Sequence, residues 1–191
     1  MSSVLSIQKD PLRRRLLEAR EQMPPEQRRA AEKKIADTLS AQAVLQGWSN
    51  VSVFLPWRAE PDLMSTWRAW HARGIALALP VVVARDQPLI MKHWQPGAPL
   101  IHDAMGLSVP QASEALECDT WLVPCVGVDR HGARLGAGKG FYDRTIAATP
   151  RPWPRLIGVC FHSALHDTAF AEPHDLRLDA CVTENGLQRF D

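Results

Sequence analysis

The sequence has almost no net charge, no long apolar run and no closely paired cysteines. Its 191 residues carry 22 Lys and Arg against 21 Asp and Glu, a formal net charge of +1. Binding to nucleic acid through general electrostatics needs a marked basic excess, so we expect no nucleic-acid partner. No apolar run approaches the roughly 20 residues that cross a bilayer, and no apolar segment typical of a signal peptide lies near the N-terminus. We therefore expect no membrane partner.

The four cysteines show no C-x-x-C spacing, and three of them lie in apolar runs: Cys118, Cys125, Cys160 and Cys181. This pattern is typical of reduced core thiols in a reducing compartment, so we expect a cytoplasmic protein. The sequence contains no internal repeat and no low-complexity tract. We expect residues 1–191 to form one domain, and we expect a monomer.

The most informative segment runs from Val123 to Thr145 and reads VPCVGVDRHGARLGAGKGFYDRT. A buried strand is followed by a turn and by three glycines at alternate positions, with Arg134 and Lys139 among them. Glycine lets successive backbone N–H groups turn toward an anion, and a helix that starts beside them strengthens the site. Two cations in such a loop favour a polyphosphate, and an acidic residue just after it suits the accompanying metal.

The spacing differs from two common nucleotide motifs. Lys139 is followed by glycine where a Walker A loop has Ser or Thr, and G-x-G-x-G is not the dinucleotide fingerprint. An alternative stays open: a flexible glycine turn between a strand and a helix, with solvated cations.

The run Arg134-Leu135-Gly136-x-Gly138-x-Gly140-Phe141-Tyr142-Asp143-Arg144 resembles the signature of the 5-formyltetrahydrofolate cyclo-ligase family. The closing pattern is similar too, with His174-Asp175 and then Asp179 before a strand that ends in Thr-Glu. The resemblance implies ATP as co-substrate, Mg²⁺ and a reduced folate substrate. It also implies a three-layer α/β sandwich, with a largely parallel central sheet and helices on both faces.

The resemblance assigns roles to individual residues. It implies catalytic roles for Arg134, Lys139 and Tyr142, and Mg²⁺ ligation by Asp143 and Asp179. It implies nucleotide contacts from Lys9, Arg13, Arg134, Leu135, Gly136, Ala137, Gly138, Lys139, Gly140, Phe141 and Tyr142. It implies folate contacts from Leu55, Glu60, Trp94, Ala137 and Phe141. Lys9 and Arg13 also stand four residues apart, which puts both on one face of a helix.

The sequence departs from the family pattern at several positions. Phe141 replaces the first of two tyrosines, Ala137 replaces a larger side chain, and Pro61-Asp62 follows Glu60. Trp94 is open to two interpretations, a wall for the pterin ring or a buried core residue. His162 and His166 have a spacing that suits a transition metal on a helix, although we expect surface histidines there.

Secondary-structure signals alternate along the chain as an α/β fold requires. We expect helices from Asp10-Pro11, from Pro24-Pro25, from Leu63 to Arg73 and from Phe141 to Ala148. We expect strands at 51–55, 75–83 with an interruption at Pro80, 89–94, 121–128 and 156–161.

The resemblance implies ATP-dependent conversion of 5-formyltetrahydrofolate to 5,10-methenyltetrahydrofolate, with release of ADP and phosphate. Two alternatives remain open, and both use the same glycine-rich loop. One is an ATP-binding regulatory module, and the other is a phosphotransferase that acts on another small molecule.

Overall fold

A seven-stranded sheet forms the centre of the computed structural model, which describes residues 3–103, 105–111, 113–167, 170 and 176–190. For residues 3–8 only the backbone is described. The order across the sheet is β12-β11-β9-β6-β1-β2-β3. The strands of this sheet are β1 (Asn50–Ser52), β2 (Ala76–Val82), β3 (Leu89–Trp94), β6 (Thr120–Pro124), β9 (Arg155–Val159), β11 (Ala180–Thr183) and β12 (Gly186–Arg189).

The five central strands of this sheet are parallel to one another. Only the two edge strands, β3 and β12, pair antiparallel with their neighbours. Two small sheets accompany it and contain β4 (Leu100–His102), β5 (Ser108–Pro110), β7 (Gly127–Asp129), β8 (Arg134–Leu135) and β10 (Leu165–His166). The expectation of a largely parallel α/β sheet is confirmed.

Helices cover both faces of the sheet, as the three-layer prediction requires. On one face, α2 (Pro25–Gln46) and α3 (Met64–Ala72) pack on strand side chains such as Val51 and Leu122. On the other face, α4 (Phe141–Ala148) packs against side chains such as Trp121 and Cys181. Successive strand residues point to opposite faces, so each parallel strand is buried on both sides.

Helix α1 (Ser3–Glu21) begins earlier than its sequence signals indicate. Asp10-Pro11 was expected to start the helix, but Pro11 lies inside it, at the cost of one backbone hydrogen bond. In α2 the predicted start is confirmed, with Pro25 as the first residue. The buried stripe of α2 ends with Ala43, four residues after Leu39, and the next residue, Val44, is 73% exposed.

Two strand predictions are corrected by the sheet topology. Pro80 does not interrupt β2, because β1 pairs only as far as Ala78 and β2 has a single neighbouring strand at Pro80. This is the arrangement in which a missing N–H removes no ladder bond. The predicted strand 121–128 is divided, since the chain leaves the large sheet after Pro124 and enters β7 of a smaller sheet.

All four cysteines are free, as expected, and only Cys118 is more than marginally exposed. Burial raises the pKa of Cys118 and of Cys125 to about 12, so both remain protonated thiols. In the part of the chain that the structure describes, no helix combines the length and hydropathy that a bilayer span requires.

Candidate functional site

The glycine-rich loop, residues 136–140, connects β8 to α4. It lies at the carboxyl ends of the parallel strands, and we call this side of the sheet the loop edge. Gly138 and Gly140 have φ values of +86° and +65°, in the left-handed region that favours glycine. Gly140 directly precedes the first turn of α4. The first N–H groups of a helix have no partner inside the helix, so this backbone suits an anion such as a phosphate.

Helix α1 approaches the loop through Arg13. Its Nε donates to the carbonyl oxygen of Gly136 at 2.8 Å, and it forms an ion pair with Asp10. A Cβ added to Gly138 would lie 3.3 Å from the Arg13 Cζ. Lys9, which is 8% exposed, lies one helical turn before Arg13. The structure thus brings Arg13 to the loop and places Lys9 on the same helix.

Arg134 and Tyr142 stack on one another next to the loop, with the Arg134 Cζ 4.7 Å from the ring centroid. Arg134 donates from Nε and Nη2 to the carbonyl oxygen of Pro124, at 3.1 and 2.8 Å. The buried hydroxyl of Tyr142 has no hydrogen-bond partner among the described residues. Burial raises the pKa of Tyr142 well above its ordinary value, so the hydroxyl stays protonated and suits a hydrogen-bond donor.

A second polar group lies where β1 ends, around Glu60. Its Oε2 accepts from the Trp57 N–H at 3.1 Å, and its Oε1 lies 3.9 Å from Nη1 of Arg20. Burial raises the pKa of Glu60, and the positive charges of Arg20 and Arg134 oppose that shift only in part. Glu60 therefore lies within electrostatic reach of the Arg134 and Tyr142 pair.

Lys139 is the exposed cation of the loop, and Arg144 braces its backbone. The Nη2 of Arg144 donates to the Lys139 carbonyl oxygen at 2.7 Å, and its Cζ lies 5.2 Å from the ring centroid of Phe141. One face of Phe141 is thus in contact with a cation, and its other contacts are with the core on that side of the sheet. Ala137 is exposed in the loop.

The two aspartates expected to bind Mg²⁺ lie at different places. Asp143, in the first turn of α4, accepts from the Leu176 N–H at 3.0 Å. Asp179 accepts from the Leu156 N–H at 2.7 Å, at the start of β9. That start belongs to the opposite edge of the sheet, so the structure does not bring Asp179 to the glycine-rich loop. This position does not favour Asp179 as a ligand of a metal at the loop, because its carboxylate caps the start of a strand, and metal binding by Asp179 stays a prediction.

The expected folate contacts also divide between the two edges. Leu55 follows β1 and is half-buried on the same edge as Glu60. Trp94 is 2% exposed and pairs with Leu77, near the start of β2 and far from the end where the loop lies. It packs in the core with α2 and α3. Trp94 is a buried core residue, as one of its two interpretations predicts, and its contact with folate stays a prediction.

The histidine pair does not form a metal site in the structure. His162 lies in a short 3₁₀ turn and His166 in β10, so the two are not on one helix. His166 Nε2 lies 3.1 Å from Nη2 of Arg15. Within the described residues, no group of three or more His, Cys, Asp or Glu side chains is placed to hold a metal ion.

Comparison with known proteins decides the family. The model of the 5-formyltetrahydrofolate cyclo-ligase family matches residues 6–184. The chain belongs to this family. The 5-formyltetrahydrofolate cyclo-ligase of Mycolicibacterium smegmatis is 33% identical over 189 residues, which is 92% of this chain and 93% of that protein. The cyclo-ligase of Escherichia coli K12 is 26% identical over 174 residues, covering 86% of this chain and 93% of its own length.

A solved structure shows the same fold. The NMR structure of Aquifex aeolicus 5,10-methenyltetrahydrofolate synthetase superposes with a TM-score of 0.81 at 26% identity, covering 95% of this chain and 92% of that one. In this cyclo-ligase family member, the loop that carries the family resemblance and the polar group around Glu60 lie at one edge of the sheet. Ligands of open α/β sheets bind at the carboxyl ends of the strands, which is this edge.

Two arginines of this edge were not expected from the sequence. Arg20 contacts Glu60 from α1, and Arg144 holds the glycine-rich loop. A signal for Arg20 is its spacing, since it lies seven residues after Arg13 and therefore on the same side of the helix. A signal for Arg144 is its place at the end of the motif, four residues after Gly140, where a helical side chain reaches back over the preceding turn.

Proposed function

We propose that this protein catalyses the ATP-dependent ring closure of 5-formyltetrahydrofolate to 5,10-methenyltetrahydrofolate, with release of ADP and phosphate. The observation that carries the proposal is the glycine-rich loop itself. Its left-handed glycines lead into α4, and Arg13 and Lys139 lie on it as cations. Membership of the cyclo-ligase family supports the choice of substrate.

The chemistry requires activation of a poor leaving group. The oxygen of the N5-formyl group attacks the γ-phosphorus of ATP, a P–O bond forms, and the bond to ADP breaks. The lone pair of N10 then attacks the activated formyl carbon and closes the ring. The C–O bond breaks, phosphate leaves with its electron pair, and N10 loses its proton. Phosphoryl transfer of this kind depends mainly on positioning and on neutralising charge.

The residues of the loop edge suit those two tasks. In the proposal, the N–H groups of residues 136–140 and the first turn of α4 hold the phosphates. Lys139 and Arg13 neutralise their charge, with Lys9 on the same helix. Arg134 has two N–H groups engaged by the Pro124 carbonyl, so it contributes through Nη1 and through its stacking on Tyr142. The folate lies toward Leu55, Glu60 and Phe141.

Tyr142 takes the role of a hydrogen-bond donor in this scheme. Its buried hydroxyl is protonated and lacks a partner among the described residues. A buried donor without an acceptor is costly, and an oxygen of a bound substrate would remove that cost. We assign Tyr142 to a substrate oxygen and not to proton abstraction.

Of the two carboxylates predicted to bind Mg²⁺, one has a position that suits this role. Asp143 stands beside the loop, and a single carboxylate together with phosphate oxygens and waters is a usual environment for Mg²⁺. Asp179 does not fit, since its carboxylate binds the Leu156 N–H at the other edge of the sheet. When bound, Mg²⁺ would neutralise phosphate charge next to Asp143.

We also propose that the protein is cytoplasmic and monomeric. The four free cysteines support a reducing compartment. Light scattering at several protein concentrations would test the monomer, and a constant mass of one chain is expected.

The experiment that tests the proposal is an absorbance assay at the band of the methenyl product. Purified protein is combined with 5-formyltetrahydrofolate, ATP and MgCl₂, with controls that omit each component. We expect a rise that requires both ATP and the folate, together with one phosphate released per product. Calorimetric binding of ATP without any rise would contradict the proposal and favour a regulatory module. Phosphate release that needs another small molecule would favour a phosphotransferase.

A further inference from the structure

Arg20 connects three parts of the candidate site, although it lies outside the glycine-rich loop. Its Nε donates to the carbonyl oxygen of Arg58 at 3.0 Å, and its Nη1 lies 3.4 Å from the carbonyl oxygen of Cys125. The same Nη1 lies 3.9 Å from Oε1 of Glu60. One buried guanidinium, carried by α1, therefore joins the chain after β1 to the chain after β6.

The segment that carries Glu60 needs such support. Arg58 and Ala59 have φ values of +46° and +60°, in the left-handed region that residues with a Cβ rarely adopt. Arg20 fixes the Arg58 carbonyl, and Nη1 of Arg28 donates to the Ala59 carbonyl at 2.5 Å. A second bond from Arg28 reaches the Arg20 carbonyl, also at 2.5 Å. Two arginines thus hold the backbone conformation that places Glu60.

The charge of Arg20 matters as well as its hydrogen bonds. The Glu60 side chain is 10% exposed, and burial raises its pKa. Arg20 opposes that rise most strongly, the Trp57 N–H and Arg134 oppose it less, and the hydroxyl of Tyr142 from α4 is neutral. An uncompensated buried carboxyl group takes up a proton and then no longer accepts at both oxygens.

We propose that Arg20 is a positioning residue, which holds Glu60 in place as a carboxylate for the N–H donors of the folate pterin ring. The inference rests on the proposed function and adds the group through which Glu60 acts. One further feature of the Arg20 guanidinium is consistent with a role in the site. Its Nη2 is buried with no hydrogen-bond partner among the described residues, so the guanidinium is only partly saturated before substrate binds.

The test compares three variants: Arg20→Gln, which removes the charge, Arg20→Lys, which keeps it, and Arg28→Gln as a matched control. Arg28 anchors the same loop through the carbonyl oxygens of Ala59 and Arg20, and not through the Glu60 side chain. We expect Arg20→Gln to raise the KM for 5-formyltetrahydrofolate about tenfold, the value of a hydrogen bond to a charged group, with little change in the KM for ATP.

The pH profile separates charge from simple packing. Removing Arg20 raises the pKa of Glu60 further, so the acidic limb of kcat/KM for folate should move to higher pH in Arg20→Gln. Arg20→Lys should restore the limb toward that of the unchanged protein. Arg28→Gln should lower thermal stability and leave the limb in place. An equal shift of the limb in Arg28→Gln would overturn the inference, because loop packing alone would then explain it.

A readout that needs no turnover keeps the inference distinct from the proposed function. The Glu60 carboxyl carbon is followed by NMR across a pH titration in the unliganded protein and in Arg20→Lys, with Glu60→Gln used to assign the signal. Arg20→Gln is added if it folds. If Arg20→Gln leaves the titration of Glu60 unchanged, the inference is overturned. It is also overturned if Arg20→Lys, which keeps the positive charge, raises the titration midpoint of Glu60 as much as loss of that charge would. Absence of any ring closure by the unchanged protein would instead overturn the proposed function.

Discussion

The two edges of the central sheet both carry aspartates and cations, yet they differ in how far their charged and hydroxyl side chains are already hydrogen-bonded. At the edge where the strands begin, Asp119 accepts from the backbone of Ser49 and Asn50, and Asp179 accepts from Leu156. A cleft of about 780 Å³ lies there, lined by side chains that include Asp119 and Asp179. The carboxylates of Asp119 and Asp179 accept hydrogen bonds from backbone N–H groups where strands begin.

At the edge where the strands end, a buried guanidinium and a buried hydroxyl group are incompletely hydrogen-bonded. Arg20 Nη2 and the Tyr142 hydroxyl are buried without hydrogen-bond partners among the described residues. The glycine-rich loop, which leads into α4, has left-handed glycines at positions 138 and 140. Buried polar groups without partners are uncommon in folded proteins and call for an explanation, such as a ligand. Buried indole N–H groups without partners, those of Trp48, Trp94 and Trp121, lie at the other edge, so what distinguishes the loop edge is an unpartnered guanidinium and hydroxyl beside the glycine-rich loop.

The largest effect is expected from Lys139→Ala, which removes the exposed cation of the loop edge. We expect kcat/KM for ATP to fall about 10²-fold, similar to the loss of one donor at a site of developing charge. The assay is the initial rate of methenyl product at varied ATP. Lys34→Ala serves as the control, because Lys34 is exposed on α2, away from the loop. Near-full activity of Lys139→Ala would remove Lys139 from the mechanism.

Exchanging the aspartates compares the two edges directly. We expect Asp143→Asn to raise the Mg²⁺ concentration needed for half-maximal rate by about 10–100-fold, as loss of a metal-binding group does. Asp179→Asn should leave that requirement unchanged and lower the free energy of unfolding by about 1 kcal/mol, through a weaker bond to the Leu156 N–H. Rates at varied MgCl₂ and urea unfolding measure the two quantities.

The opposite result for Asp179→Asn, a raised Mg²⁺ requirement, would return Asp179 to the metal site. His174-Asp175, which is part of the closing pattern of the family, lies outside the described residues.

Backbone conformation at the loop edge gives a smaller effect. Gly138→Ala places a Cβ at φ +86°, 3.3 Å from the Arg13 Cζ. The left-handed region costs a residue with a Cβ about 1–2 kcal/mol, which predicts roughly tenfold weaker ATP binding by calorimetry. Gly106→Ala is the matched control, because Gly106 also has a positive φ but no atom near its added Cβ. The control should lose stability and keep its ATP affinity, and equal losses of affinity would refute the role of the loop.

Much of the fold follows from local signals in the sequence. The pattern of β3 and α4 predicts both elements at their observed bounds, because turn residues flank each of them. The prediction for Pro80 was wrong because the cost of a missing N–H depends on whether a strand lies beside it, and only the sheet determines that. The prediction for Pro11 was wrong for another reason, since α1 continues through Pro11 despite the loss of one backbone hydrogen bond.

The candidate site also contains some residues that local sequence predicts and others that it does not. The glycine-rich loop and Asp143 form a continuous motif, so their neighbourhood is predictable from the sequence. Asp179 and Trp94 were assigned by resemblance across distant segments, and the register of the strands carries both to the other edge. The spacing of Arg20 from Arg13 indicates its side of the helix, but its contacts with Arg58, Cys125 and Glu60 join distant parts of the chain and cannot be predicted from that spacing.

The smallest effect on activity is expected from Asp119→Asn, at the edge that the proposal leaves without catalytic residues. Partial burial raises the pKa of Asp119, and hydrogen bonds from Asn50 and Ser49 lower it, with a net value below the ordinary 3.8. The carboxylate therefore stabilises the fold above pH 3.8, and that contribution is lost as pH falls through the lowered pKa. We expect unchanged kinetics and a loss below about 1 kcal/mol at neutral pH, since the group is exposed to solvent. Urea unfolding at pH 7 and pH 3 measures the difference, which should be smaller at the lower pH. A change in the KM for folate or ATP would show instead that the two edges are coupled and that the cleft contributes to the reaction.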